Sequence, residues 1–197
     1  MLLKFCGITR TEDARFAAQI GANFVGAIIV PGSKREVSPE QAKIIFAAAQ
    51  PAKGILVVRN MDIKELQQII DDIRPYAVQL HGNESPEYAT QIQNTRIWKA
   101  FDVNRLENLQ EAVIFPADMI VADSGGGTGR TCDWERARKL AQQRPIMLAG
   151  GITPLNVLHA IDAVHPVGID LAGGVESSPG IKNHAEMNLI VNLVHNI

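Results

Sequence analysis

Cysteine is scarce in this chain of 197 residues, where Cys6 and Cys132 are the only two. That is too few for a disulfide framework, and the pair lacks the spacing of a structural zinc site. No uninterrupted apolar run of about 18 residues occurs, so no membrane-spanning helix is predicted. A dominant charge of one sign is also missing. The 19 Lys and Arg residues nearly balance the 21 Asp and Glu, leaving a formal net charge of -2. Nucleic acid is therefore not an expected partner, although a local basic pocket for a small anion remains compatible with the balance. The opening MLLKFCGITR has neither a basic leader nor a small-residue cleavage pattern, which points to a cytoplasmic protein. With 46% hydrophobic and 20% charged residues, residues 1–197 read as a single domain around one sizeable core.

The apolar pattern switches repeatedly between short buried runs and helical stripes. Strands are predicted at Leu2–Gly7, Asn23–Val30, Gly54–Val58, Ala77–Leu80, Ile97–Phe101, Asp118–Ala122, Pro145–Ala149 and Val167–Leu171. Helices are predicted between them: 12–20, with Thr9 and Thr11 as candidate caps; 39 to about 50, capped by Ser38; and a stripe of Ile63, Leu66, Ile69, Ile70 and Ile73. Further helices follow at 85–93, 106–115, 134–142, 154–164 (started by Thr153) and 183–194. Parallel strands joined by helices need a covered sheet, and eight such units can close on themselves and leave no edge. The expected fold is α/β, a closed (β/α)8 TIM barrel of near-minimal length. An open doubly wound sheet would carry a glycine-rich nucleotide loop after its first strand, and Cys6-Gly7-Ile8-Thr9 has one glycine only.

In such a barrel the chemistry sits at the carboxyl ends of the strands. The stretch from Ala117 to Trp134 places Asp123 at a strand end, before a glycine-rich turn. Cys6, Asn60, His81, Gly150-Gly151 and Asp170 fall at or near other strand ends, and Arg35 lies in the long second loop. Each residue alone has an ordinary structural reading, and their convergence on one rim is what favours function. Gly150-Gly151 and Gly173-Gly174, in adjacent seventh and eighth loops, form a candidate phosphate cradle of backbone N–H groups. No GKT or GKS follows, which disfavours a nucleoside triphosphate. Arg35 could recognise a carboxylate through its planar fork, with Lys34 a solvated charge. Cys6 and Asp123, on opposite sides of the mouth, could act as base and acid across a small molecule, provided the thiol is lowered enough to populate thiolate. Cys132 reads as buried filler.

KFCGITR (4–10), FVGAIIVPGSKREVSPEQA (24–42), VQLHGNE (78–84), DSGGGTGRTCDW (123–134), LAGGITPLNV (148–157) and GIDLAGGVESSPGIK (168–182) resemble phosphoribosylanthranilate isomerase of tryptophan biosynthesis, essentially end to end. The resemblance implies a cofactor-free, metal-free Amadori rearrangement of N-(5-phosphoribosyl)anthranilate. Asp123 would be the acid that protonates the ring oxygen, and Cys6 the base that takes the C2 proton. Arg35 would receive the anthranilate carboxylate, and Gly150, Gly151, Gly173 and Gly174 the phosphate. Gln79, His81 and Asp170 would support the rim. The partner implied is this phosphorylated sugar-anthranilate; a monomer is expected, with a homodimer left open. The chain departs from the family pattern at Gly32, Lys34 and Glu36 (PGSKREVS for PKSPRYVS), at Ala172 and Gly173 (LAGGVE for VSSGVE), and at Arg59 (VVRN for VFVN). The alternatives are another sugar-phosphate barrel, for which an indole-forming synthase would need a lysine-and-glutamate pattern, and a noncatalytic anion-binding barrel.

Overall fold

Successive side chains of a strand point to opposite faces, so each strand here must satisfy two environments. In β1 (Leu2–Phe5), Leu3 and Phe5 join the apolar layer beneath the helices, while the alternate Lys4 is wholly buried on the other face. The same alternation runs through β2 (Phe24–Ile28), β3 (Lys53–Val58), β4 (Ala77–Leu80), β5 (Arg96–Asp102), β6 (Met119–Asp123), β7 (Ile146–Leu148) and β8 (Gly168–Leu171). The computed structural model describes residues 1–125 and 131–195. In it these strands are all parallel and form a closed barrel in the order β1 to β8, with β1 paired to β8. The predicted fold is the observed one.

The helices are α1 (Thr11–Gln19), α2 (Pro39–Ala48), α3 (Ile63–Ile73), α4 (Pro86–Ala89), α5 (Leu109–Ile114), α6 (Trp134–Ala141), α7 (Val157–Val164) and α8 (His184–His195). Their apolar faces and the outward strand faces make one continuous core, in which each fully buried Leu or Ile contributes about 1.5–3 kcal/mol. A smaller cluster fills the barrel itself: Phe24, Ile55, Ala77, Trp98, Val121 and Met147, with Ala100 and Ala149 above them. Phe24 meets Trp98 edge-on at 5.0 Å. This plug makes the barrel solid below the mouth and gives the polar groups above it a rigid floor.

Several predicted boundaries move, for reasons visible in the caps. Ser38 caps α2 as expected, its Oγ accepting from the Gln41 N–H while Gln41 bonds back. Thr9 and Thr11 do not cap α1: the Thr9 hydroxyl donates to the Gly180 carbonyl, and Arg10 precedes the helix. The predicted start near 106 shifts to Leu109, where the Asn108 side chain caps the helix. That near 154 shifts to Val157, the Asn156 side chain before it being engaged with the preceding turn at the Thr153 N–H. Helix α4 is a single turn. A short 3-10 turn (Gly173–Val175) and a hairpin of β9 (Glu176–Ser178) and β10 (Ile181–Lys182) after β8 were not anticipated. Among the described residues no helix is long and apolar enough to cross a membrane.

Candidate active site

The carboxyl ends of the strands open into a cavity of about 730 Å³. Cys6, Gln79, His81, Asp123 and Asp170 all line it, each placed by the strand it ends or follows. Arg35 reaches in from the second loop and lies against Gly173, and Gly150, Gly151 and Gly174 line the same cavity. The structure thus brings together every residue given a role in the site. Asn60 is the rim residue that stays apart: its Oδ1 accepts the Asn83 N–H at 2.7 Å, bracing neighbouring loops. Arg59, the added charge, donates from Nε to the His81 carbonyl at 3.2 Å and borders a second cavity of about 720 Å³ over β4 to β6. Lys34 is exposed, as expected.

The glycines are there because loops touch. Gly150 and Gly151 both have positive φ, +83° and +64°, conformations that favour glycine. A side chain at Gly150 would run into Ser124, and one at Gly174 into the Ile152 carbonyl. Asn156 fastens this turn, accepting from the Thr153 N–H at 2.8 Å and donating to the Gly151 carbonyl at 2.9 Å. Gly126 to Gly129 of the glycine-rich sixth loop lie outside the described residues.

Inside the mouth runs a seam of buried polar groups. Lys4, opposite Asp170 in register on the neighbouring strand, donates to Asp170 Oδ2 at 2.7 Å and to Gln79 Oε1 at 2.7 Å. Gln79 Nε2 lies 3.0 Å from His81 Nδ1, and His81 Nε2 lies 3.2 Å from Asp123 Oδ2. Asp170 Oδ1 is buried with no hydrogen-bond partner among the described residues. Burial pulls Lys4 down, but Asp170 and Cys6 beside it outweigh that, and it stands above the ordinary lysine value. Cys6 and Lys4 both lean over Gly26, where a methyl group would sit 2.7 Å from the thiol sulfur and 3.2 Å from Lys4 Cε.

Two features of the site bear on the proviso for Cys6 and on the reading of Arg35. A lowered thiol is not what the site provides: burial pushes Cys6 up, Asp170 adds to it, and the opposing pull of Lys4 and Lys182 does not overcome them. Nor does Arg35 hold an open fork. Its Nε and Nη2 donate to Glu176 at 2.8 and 2.6 Å, an arrangement that holds the guanidinium above its ordinary value. Glu176 also accepts from the buried Lys182 at 2.8 Å, and Lys182 reaches the Ala172 carbonyl at 3.0 Å. The residues missed in the sequence are therefore Lys4, Glu176 and Lys182. For Lys4 a signal existed, since it lies two residues before Cys6 and shares its face. Cys132 is buried filler as expected, its thiol pushed far up by burial. Among the described residues no cluster of three His, Cys, Asp or Glu side chains could hold a metal ion.

A thiol, a hydrogen-bonded carboxylate, a glycine cradle and a guanidinium around one cavity suit proton transfers on a small dianionic substrate. The comparison with known proteins decides among such barrels. The family model for N-(5'-phosphoribosyl)anthranilate (PRA) isomerase matches residues 3–193. The chain belongs to the PRA isomerase family. A relative from Trichormus variabilis, N-(5'-phosphoribosyl)anthranilate isomerase, is 38% identical, covering 96% of this chain and 96% of its own. The crystal structure of the Thermus thermophilus phosphoribosyl anthranilate isomerase superposes with a TM-score of 0.91 at 34% identity, covering 100% of this chain and 99% of that one. A further family structure, in complex with reduced 1-(o-carboxyphenylamino)-1-deoxyribulose 5-phosphate, superposes with a TM-score of 0.87 at 31% identity, covering 100% of each chain. The PRA isomerase family thus accounts for this chain along its whole length.

Proposed function

We propose that this PRA isomerase converts N-(5'-phosphoribosyl)anthranilate to 1-(o-carboxyphenylamino)-1-deoxyribulose 5-phosphate, in the cytoplasm, with Asp123 as acid and Cys6 as base. The observation that carries the assignment is the placement of both on one cavity wall system with the glycines and Arg35. Asp123 protonates the ribose ring oxygen as the ring opens to an iminium, and the carboxylate it becomes meets the His81 ring at 3.2 Å. Cys6 then removes the proton at C2, giving an enolamine that tautomerises to the ketone. The thiol must ionise first, its proton leaving to solvent through the open cavity that Cys6 lines. Lys4 and Lys182 favour the thiolate, and the cationic iminium adds a third positive charge beside it.

The cavity offers a partner for each of the substrate's two anionic ends. Phosphate takes the backbone of Gly150, Gly151, Gly173 and Gly174. The anthranilate carboxylate takes Arg35 and shares it with Glu176, which keeps Lys182 as a second partner. Ala172 and Gly173 offer no hydroxyl, so phosphate recognition there rests on backbone N–H groups.

A direct assay with freshly generated substrate tests this reading. Native protein is expected to turn over, and Asp123→Asn and Cys6→Ser each to lower kcat by about 10²–10⁴ with the fold intact. Native-like turnover in both variants removes their roles. Phosphate binding without any turnover by native protein favours a noncatalytic barrel instead.

A further inference from the structure

The buried seam inside the mouth contains more hydrogen-bonding information than its distances alone. An ammonium group has donors only, so Lys4 at 2.7 Å can meet only the oxygen of the Gln79 amide. The NH2 of that amide is then the group 3.0 Å from His81 Nδ1. An amide NH2 donates and does not accept, so Nδ1 must accept. In the neutral ring the proton therefore sits on Nε2, the atom 3.2 Å from Asp123 Oδ2. Lys4 is itself pinned by Asp170, and neither Lys4 nor Gln79 is more than 1% exposed. Turning the amide over would set its N–H groups against the ammonium and leave both donors without an acceptor.

We propose that Lys4 and Gln79 are positioning residues that fix the tautomer of His81, so that it presents an N–H and not a lone pair to Asp123. Its catalytic consequence rests on Asp123 being the acid. With its Nε2–H directed at Oδ2, the ring has no lone pair facing the carboxylate with which to take a proton that Asp123 carries. Once the proton has gone to the substrate, the new carboxylate is already hydrogen-bonded. The opposite tautomer would put a basic nitrogen beside the acid and compete with the substrate for its proton. A lysine wholly buried in the barrel interior thereby acquires a task besides pairing with Asp170.

Histidine-labelled protein gives the readout directly, because the ¹⁵N shifts of the imidazole report which nitrogen bears the proton whether or not the enzyme turns over. His81, one of five histidines, is assigned by its loss in His81→Asn. The native ring is expected to be protonated at Nε2 only. Gln79→Glu replaces the NH2 by an accepting oxygen, so Nδ1 should gain a proton, and kcat should fall about tenfold or more with KM changed less than about threefold. Lys4→Met unlocks the amide and should give a mixture of the two ring forms. If that variant fails to fold, Gln79→Glu carries the test alone. A native ring protonated at Nδ1, or an unchanged pattern in folded Gln79→Glu, overturns the proposal. A switched ring with native kcat overturns its catalytic consequence, whereas an Nε2–H ring in an inactive native protein leaves the tautomer standing and removes the acid assignment.

Discussion

Two lysine–carboxylate pairs, one inside the barrel and one outside it, have nearly the same geometry and different chemistry. Lys4 meets Asp170 at 2.7 Å among inward-facing groups, and Lys99 meets Glu84 at 2.8 Å in the layer between sheet and helices. Both lysines are almost wholly buried. Yet Lys4 is held above its ordinary value, and Lys99, pulled down by burial, falls below its own despite Glu84. The difference lies in the neighbours. Each ammonium has one neutral acceptor, Gln79 for Lys4 and the Gly82 carbonyl for Lys99, and each lies near an aromatic ring. But Lys4 has Cys6 beside it as well as Asp170, whereas Glu84 alone opposes the burial of Lys99. Glu84 moreover divides its oxygens between Lys99 and the N–H groups of Asn60 and Gly82, at 2.7 and 2.9 Å. The outer pair clamps the third and fourth loops, while the inner one governs how protons are held.

The strongest way to break this contrast is to remove each ammonium. Lys99→Met and Lys4→Met each leave a buried carboxylate without its cation, and each should cost about 3–5 kcal/mol in denaturant unfolding. Only Lys4→Met should also lower kcat in the protein that remains folded. The double replacement Lys99→Met with Glu84→Leu should recover much of the outer loss, because both charges leave together, although the Asn60 and Gly82 N–H groups then lose their acceptor. A kcat reduced as much by Lys99→Met as by Lys4→Met would erase the distinction.

This contrast was half legible in the sequence. Cys6, His81, Asp123 and Asp170 can be gathered because the strand-end rule needs only boundaries good to a residue or two, while Gln79 enters through the family resemblance. Lys4 is easily passed over, since within LLKF a lysine reads as an interruption of an apolar run unless its two-residue spacing from Cys6 is used to place its face. Lys99, in the predicted strand Ile97–Phe101, drew no attention for the same reason. Glu176 was hidden differently. It follows β8 in a turn and hairpin that periodicity does not announce, and its partners Arg35 and Lys182 come from elsewhere in the chain. The start of α5 is set by a local cap, Asn108, and that of α7 by a turn that Asn156 fastens to Gly151 and Thr153, neither of which the apolar period reveals.

Glu176 supplies an intermediate case that sharpens the contrast, because its ion pairs sit at the mouth and not in the floor. It holds Arg35 and Lys182 together, and both cations keep its carboxyl below the ordinary glutamate range in spite of burial. Glu176→Gln weakens those charged hydrogen bonds, each worth about 1.5–3 kcal/mol. The expected kinetic result is a raised KM, from a guanidinium no longer aimed at the substrate carboxylate, with kcat held. A fall in kcat at unchanged KM would show that Glu176 belongs with the inner seam.

The smallest effect is also the most direct comparison of the two lysines, and it is read from the alkaline limb of the stability curve. A lysine held below its ordinary 10.5 is already losing its proton in the folded protein where the unfolded chain still binds one. Lys99 should therefore make stability rise with pH from its folded value up to about 10.5. Lys4 behaves oppositely: its contribution is complete below 10.5 and is lost as pH climbs through its higher folded value. Tyr88, pushed up to about 12 by burial, titrates in the same region, so the curves must be compared as differences from native protein. Subtracting the Lys99→Met curve from the native one should leave a positive slope below 10.5, and subtracting Lys4→Met a negative one above it. Each slope is at most about 1.4 kcal/mol per pH unit and is seen only over the accessible part of the titration. Slopes of the same sign would mean that the two pairs share one electrostatic environment, and the division between a loop clamp and a proton-holding seam would have to be abandoned.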